Sequence, residues 1–305
     1  MSRIHEALKK AAEERSSRLA SGSERGFVDV ATDVNRTKFP SEEGDLPVRP
    51  DFPAERGLAF LDFAEIAKRC AHPKWQLDSR VNVFQAAGTD KIGAERFRTL
   101  RSRLYQIAGT RPLKKILVTS SVASEGKTFV AANLAQSIVR QNDRRVLLID
   151  ADLRSSRLHL NLGAPATPGL TDYLRGEANE FAVIQRGLEG NLYFIPGGNP
   201  VANPSELLLG ERMSNLLKLV TPIFDWVILD SPPAMPVHDA SMLADLCDGV
   251  LFVVQAGQTD FEIAEKASSE FRDKNLLGVV LNRVEQGDSY GGYYYGYPVV
   301  EKEKN

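Results

Sequence analysis

The chain has 305 residues, 43% of them hydrophobic, enough to bury one large core or two small ones. Its 38 lysines and arginines nearly balance 40 aspartates and glutamates, so no net field favours nucleic acid, and no nucleic-acid partner is expected. Cys70 and Cys247 show neither metal-ligand spacing nor a secreted disulfide pattern. The apolar runs fall far short of the roughly 20 residues of a membrane span, and the N-terminus lacks a secretion signal's apolar stretch. A cytoplasmic chain with no transmembrane segment of its own is expected.

Within residues 1–20, Ile4, Ala7, Leu8 and Ala11 recur at helical spacing on a stripe too thin to build a core. Two readings of this amphipathic helix stay open: a solvated terminal helix, or one that docks on a partner or a membrane surface. Residues 21–79 are expected to be mostly flexible linker, because Ser, Gly, Pro and charge dominate from Ser21 to about Gly57. Phe97, Leu100, Leu104 and Ile107 then fall three or four residues apart, which predicts a helix from about Ile92 to Ile107. After it, apolar runs alternate with helical stretches: Ile116 to Thr119, Val146 to Ile149, Leu192 to Ile195, Val227 to Leu229, Val250 to Val254 and Leu277 to Leu281. Uninterrupted apolar strands are buried on both faces, and helices between them are crossovers. Residues 80–285 therefore read as an α/β domain with a mostly parallel, doubly wound sheet flanked by helices. Residues 286–305 leave the pattern as a glycine- and tyrosine-rich tail.

Ser121-Val-Ala-Ser-Glu-Gly-Lys-Thr128 follows one of these strands and opens the helical Phe129 to Val139, the context a P-loop requires. Its backbone N–H groups would cradle the phosphates of ATP, with Gly126 allowing close approach. The nucleotide-binding residues on this reading are Ser121, Ser124, Glu125, Gly126, Lys127, Thr128 and Phe129. Lys127 would reach the terminal phosphates, and the Thr128 hydroxyl would serve Mg2+. Ser121 stands where the consensus has glycine. Two strands end in carboxylates, Asp150-Ala-Asp152 and Asp230-Ser-Pro-Pro, and in a parallel sheet those ends face the ligand crevice.

These motifs resemble the bacterial tyrosine kinases of capsule and exopolysaccharide synthesis, in their cytoplasmic separate-chain form. The match runs from roughly Arg80 to the C-terminus. It includes Glu95-Arg-Phe-Arg98-Thr-Leu-Arg101, the P-loop, Leu148-Ile-Asp150-Ala-Asp152-Leu-Arg154, Leu229-Asp230-Ser-Pro-Pro233, Gly169-Leu-Thr-Asp-Tyr-Leu and Asn203-Pro-Ser-Glu-Leu-Leu208. The resemblance implies a deviant-Walker P-loop NTPase fold used for protein-tyrosine phosphorylation, with the kinase's own C-terminal tyrosines among the targets. Tyr290, Tyr293, Tyr294, Tyr295 and Tyr297 supply such a cluster, five of the eight tyrosines in the chain.

In-line transfer to a phenol needs positioned phosphates, neutralised charge and a proton acceptor. By the resemblance, Asp150 and Asp230 hold Mg2+ with Thr128, and Asp152 orients or deprotonates the incoming tyrosine; Lys127, Asp150, Asp152 and Asp230 form the catalytic set. Arg154 has two readings, a phosphate or subunit contact and a solvated loop residue. Glu95, Arg98 and Arg101 share one broad side of their helix; spacing alone suggests a local ion pair, whereas the resemblance implies packing of subunits into a homo-oligomeric ring. It further implies a separate membrane partner of the chain-length-determinant kind that activates the kinase and recruits it to the inner membrane. Asn282 ends the last strand, where related ATPases read adenine, though a turn asparagine fits equally. Two alternatives remain: a positioning or partitioning ATPase, whose signature lysine is here Val122, and an ATP-binding adaptor that transfers no phosphate to protein.

Overall fold

The computed structural model describes residues 62–85, 91–141, 144–187 and 190–284. Each expected apolar run is a strand, extended by one residue at one or both ends except in the run at Leu192: β1 (Lys115–Ser120), β2 (Val146–Asp150), β4 (Leu192–Ile195), β5 (Trp226–Asp230), β6 (Gly249–Gln255) and β7 (Leu276–Asn282). A two-residue strand, β3 (Gln185–Arg186), was not legible because it is too short to show a period; it pairs antiparallel with β4. All other pairings are parallel, in the order β3-β4-β2-β5-β1-β6-β7.

Ten helices occur among the described residues: α1 (Phe63–Arg69), α2 (Lys91–Ala108), α3 (Lys127–Val139), α4 (Leu158–Leu162), α5 (Leu170–Leu174), α6 (Glu180–Val183), α7 (Pro204–Leu209), α8 (Glu211–Val220), α9 (Asp239–Ala244) and α10 (Phe261–Ser269). Successive strand residues feed opposite cores, as a period of two requires. Val146 and Leu148 of β2 join a core with α2, α3 and α4, while Leu147 and Ile149 join one with α5, α8, α9 and α10. That two-sided burial explains why the strands read as unbroken apolar runs. No helix among the described residues is long and apolar enough to cross a membrane.

The expected linker over residues 21–79 needs correction at its C-terminal end, because residues 62–79 fold against the sheet. Ile66 of α1 is fully buried, and Phe63 meets Tyr193 edge-on at 5.8 Å. The Ala71 N–H donates to the Ile184 carbonyl, and the Arg186 N–H donates to Ala71. Trp75 packs edge-on against Phe194 at 6.0 Å. Phe63, Ile66, Cys70, Trp75 and Leu77 all join or pack against the two cores, so this stretch belongs to the folded domain rather than to the linker. The remaining stretch of that linker, the helix expected within residues 1–20, and the tyrosine tail lie outside the described residues.

Strands β1 and β5 are neighbours whose outgoing chains diverge. β1 leads through α3 on one face to β2, and β5 leads through α9 on the other face to β6. This divergence opens a crevice at their carboxyl ends, the switch point where open α/β sheets take ligands.

Candidate active site

The P-loop turns out of β1 into α3. Ser124 (φ 70) and Gly126 (φ 96) adopt the left-handed region, which turns the chain so that α3 begins at Lys127. A β-carbon on Gly126 would collide with the Asn282 side-chain amide. Ser121 is outside the left-handed region, so the serine in place of the consensus glycine carries no backbone strain.

Glu125 ties the loop to its surroundings from a buried position. Its Oε2 accepts from the Val122 N–H at 2.7 Å, and its Oε1 accepts from the Thr259 hydroxyl and, at 3.4 Å, from the Gln255 N–H. Burial pushes the Glu125 carboxyl above its ordinary value, although the hydrogen bonds partly oppose the shift. The Asn282 amide donates to the Glu125 carbonyl at 2.9 Å, so this side chain braces the P-loop.

Asp150 and Asp230 are partners in register at the ends of adjacent strands, and both are buried. Asp150 accepts from the Ser156 hydroxyl at 2.7 Å and from the N–H groups of Leu158 at 3.1 Å and Asp152 at 3.2 Å. Asp230 Oδ1 is buried without a hydrogen-bond partner, as is the Ser121 hydroxyl. Burial and then the neighbouring Asp230 raise the Asp150 pKa; burial raises that of Asp230, while Lys127 and the Thr128 hydroxyl pull it down. Lys127 Nζ donates to Asp152 Oδ2 at 2.8 Å, with both side chains largely enclosed. Burial would lower the lysine pKa, but Asp230, Asp152 and Asp150 together hold it above its ordinary value. Three carboxylates facing one ammonium, with a carboxylate oxygen unpartnered, suit a further cation with oxygen preference.

The expected residues therefore converge, with two departures. The Phe129 ring turns away and meets Phe97 of α2 edge-on at 5.7 Å, which leaves only its backbone N–H for a phosphate. Arg154 is solvent-exposed, with 40% of its side chain accessible, yet it is not free: its Nε donates to Asp239 at 2.7 Å and its Nη2 to Ser205 at 2.8 Å. On α2, Glu95 and Arg98 form an exposed ion pair at 2.9 Å, whereas Arg101 donates to the Ser137 carbonyl of α3. Sequence reasoning missed Asp239, Thr259 and Gln255; only Ser205 lay in a motif, Asn203-Pro-Ser-Glu, that had no role attached.

Residues 116–296 match the CobQ/CobB/MinD/ParA nucleotide binding domain family. Tyrosine-protein kinase YwqD of Bacillus subtilis (strain 168) is 33% identical over 219 residues, 70% of this chain and 91% of the relative. The chain belongs to the bacterial tyrosine-protein kinases. Tyrosine-protein kinase wzc of Salmonella typhi is 33% identical over 68% of this chain, which spans only 29% of that longer relative. Among solved structures, the kinase domain of Escherichia coli tyrosine kinase ETK aligns with a TM-score of 0.58 at 32% identity, covering 65% of this chain and 80% of that one. Membership in this kinase family gives the P-loop, the paired strand-end carboxylates and Lys127 a common purpose: binding a nucleotide for phosphoryl transfer.

Proposed function

We propose that this tyrosine kinase transfers the terminal phosphate of ATP to the tyrosines of its own tail, Tyr290, Tyr293, Tyr294, Tyr295 and Tyr297, and thereby regulates capsule or exopolysaccharide polymerisation and export. The Lys127–Asp152 pair at the mouth of the P-loop carries this reading. The ammonium is held charged where the terminal phosphates would lie, and phosphate oxygens compete with Asp152 for it. Once Lys127 turns to phosphate, Asp152 has a free carboxylate oxygen to accept the phenolic proton while the tyrosine oxygen bonds to phosphorus and ADP leaves.

Mg2+ fits the donor set of Thr128, Asp150 and Asp230, and when bound it neutralises charge developing on the transferred phosphate. Ser121, Ser124, Glu125, Gly126 and the Phe129 N–H shape the loop around the phosphates. Asn282 would read the base as well as brace the loop. Subunits would associate through the Glu95, Arg98 and Arg101 side of α2 into a ring that brings each tail to a neighbouring site, and added phosphates would then loosen it by repulsion. A membrane activator of the chain-length-determinant class would recruit the cytoplasmic chain, through the helix expected within residues 1–20.

Co-expression with a candidate activator, followed by phosphotyrosine mass spectrometry and membrane fractionation, tests the scheme. Phosphate on Tyr290 to Tyr297 in the native chain and its loss in Lys127→Met is the expected result. Membrane association should persist in Lys127→Met and disappear when residues 1–20 are deleted. A native chain that binds ATP and its activator yet carries no phosphotyrosine would overturn the kinase reading.

A further inference from the structure

Asp152 faces a problem during turnover that the geometry solves elsewhere. Its ammonium partner, Lys127, is the group the nucleotide recruits, so the turn carrying Asp152 must be held by something else once phosphate arrives. The turn closes partly on itself, with the Ser155 N–H donating to Asp152 Oδ1 at 3.1 Å and to the Asp152 carbonyl at 3.1 Å. A two-residue step along, Arg154 anchors it to a different part of the molecule. Arg154 Nε donates to Asp239 Oδ2 at 2.7 Å and Nη2 reaches Asp239 Oδ1 at 3.4 Å, the forked geometry that fixes a guanidinium in direction as well as distance. The Asp239 side chain is only 3% exposed. Ser205, at the start of α7, donates to Asp239 Oδ1 at 2.6 Å and accepts from Arg154 at 2.8 Å, which closes a three-membered network.

The ends of this network are informative. Arg154 follows Asp150 on the chain leaving β2, and Asp239 follows Asp230 on the chain leaving β5, two strands whose terminal aspartates are in register. The ion pair therefore clamps together the two segments that diverge from the carboxylate-bearing strand ends.

We infer that Asp239, acting through Arg154 and backed by Ser205, is a positioning residue that keeps Asp152 aligned for phosphoryl transfer after Lys127 has moved to the nucleotide. The inference rests on the kinase reading for the role of Asp152, and assigns Arg154 to Asp239 in place of a phosphate. Among the described residues no hydrogen bond or ion pair joins Arg154, Asp239 or Ser205 to the nucleotide cradle from Ser121 to Thr128, so ATP binding should not depend on the network.

The test uses the full-length chain with its activator, measuring both tail phosphorylation and ADP release. Asp239→Asn should lower kcat about tenfold while KM for ATP and the affinity for a fluorescent ATP analogue stay within twofold; Asp239→Glu should recover part of the loss. Because an unpaired partner could compromise folding, the double variant Arg154→Gln/Asp239→Asn removes both charges together, and its kcat should be no lower than that of the worse single variant. A kcat within twofold of the native value in Asp239→Asn overturns the inference, as does a parallel loss of kcat and ATP affinity, the signature of general structural damage. Should the native chain release ADP without labelling tyrosine, the kinase reading fails, and an undiminished ADP release in Asp239→Asn would then overturn the positioning role separately.

Discussion

Glu125 places a buried carboxyl inside a loop that must receive a polyanion, and its hydrogen bonds show how the cost is offset. Its two oxygens satisfy donors on β6, on the segment leading to α10 and on the P-loop itself. Glu125→Gln would set an amide N–H₂ against one of those donors, and a stranded buried donor costs about 1–3 kcal/mol. The pH dependence has a definite sign. Burial raises this carboxyl above 4.5, so the folded chain binds its proton more tightly than the unfolded chain, and stability falls as pH rises above the ordinary value. The glutamine variant lacks that slope. Urea unfolding of both proteins should show the variant less stable at pH 5, with the gap narrowing toward pH 8; a gap that widens with pH would contradict the burial argument. Lys127, Asp150 and Asp230 were legible because a phosphate site and two strand ends announce themselves within a few residues of sequence. Thr259 and Asp239 were not, since each acquires its meaning from a partner 134 or 85 residues away.

At the scale of elements, hydrophobic period and run length specified the strands and α2, because each buries a continuous face. Docking of residues 81–83, just ahead of α2, was hidden, since it uses a single polar side chain. Buried Asn133 of α3 accepts from the Val83 N–H at 3.0 Å and donates to the Val81 carbonyl at 2.8 Å, a role that no periodicity reports. The same helix pair decides how to test the ring. Arg101 holds the C-terminal end of α3 through the Ser137 carbonyl, so its removal would confuse assembly with folding. Arg98 offers a cleaner probe: its pair with Glu95 is exposed on both sides and is a local contact of a kind that contributes about 0.2–0.5 kcal/mol. Arg98→Ala should leave the unfolding midpoint of the monomer nearly unchanged while shifting the native assembly toward monomer on analytical ultracentrifugation. An unaltered sedimentation profile would remove this face of α2 from the proposed interface.

For the whole molecule, the sequence reading draws the boundary of the folded unit near residue 80, while packing shows the chain from residue 62 already docked on the sheet. The stretch between them contributes contacts to both faces of the sheet. Ile66 joins the core that holds Tyr193, and Trp75 packs beside the core that holds Phe194. Trp75 also lies against Gly187, where a β-carbon would come within 2.7 Å of the indole, so the β3 end of the sheet is shaped to receive it. Burying a side chain such as Ile66 contributes about 1.5–3 kcal/mol, and folded domains are stable by only about 5–15 kcal/mol. Removing residues 62–79 takes away several such contacts at once and bares Tyr193, Phe194 and the outer edge of β3. A chain beginning at residue 80 should therefore unfold at a clearly lower urea concentration than one beginning at residue 62, by a margin of several kcal/mol, and hydrogen exchange in β3 and β4 should accelerate first. Equal midpoints for the two chains would mean that the α1 segment rests on the sheet without stabilising it.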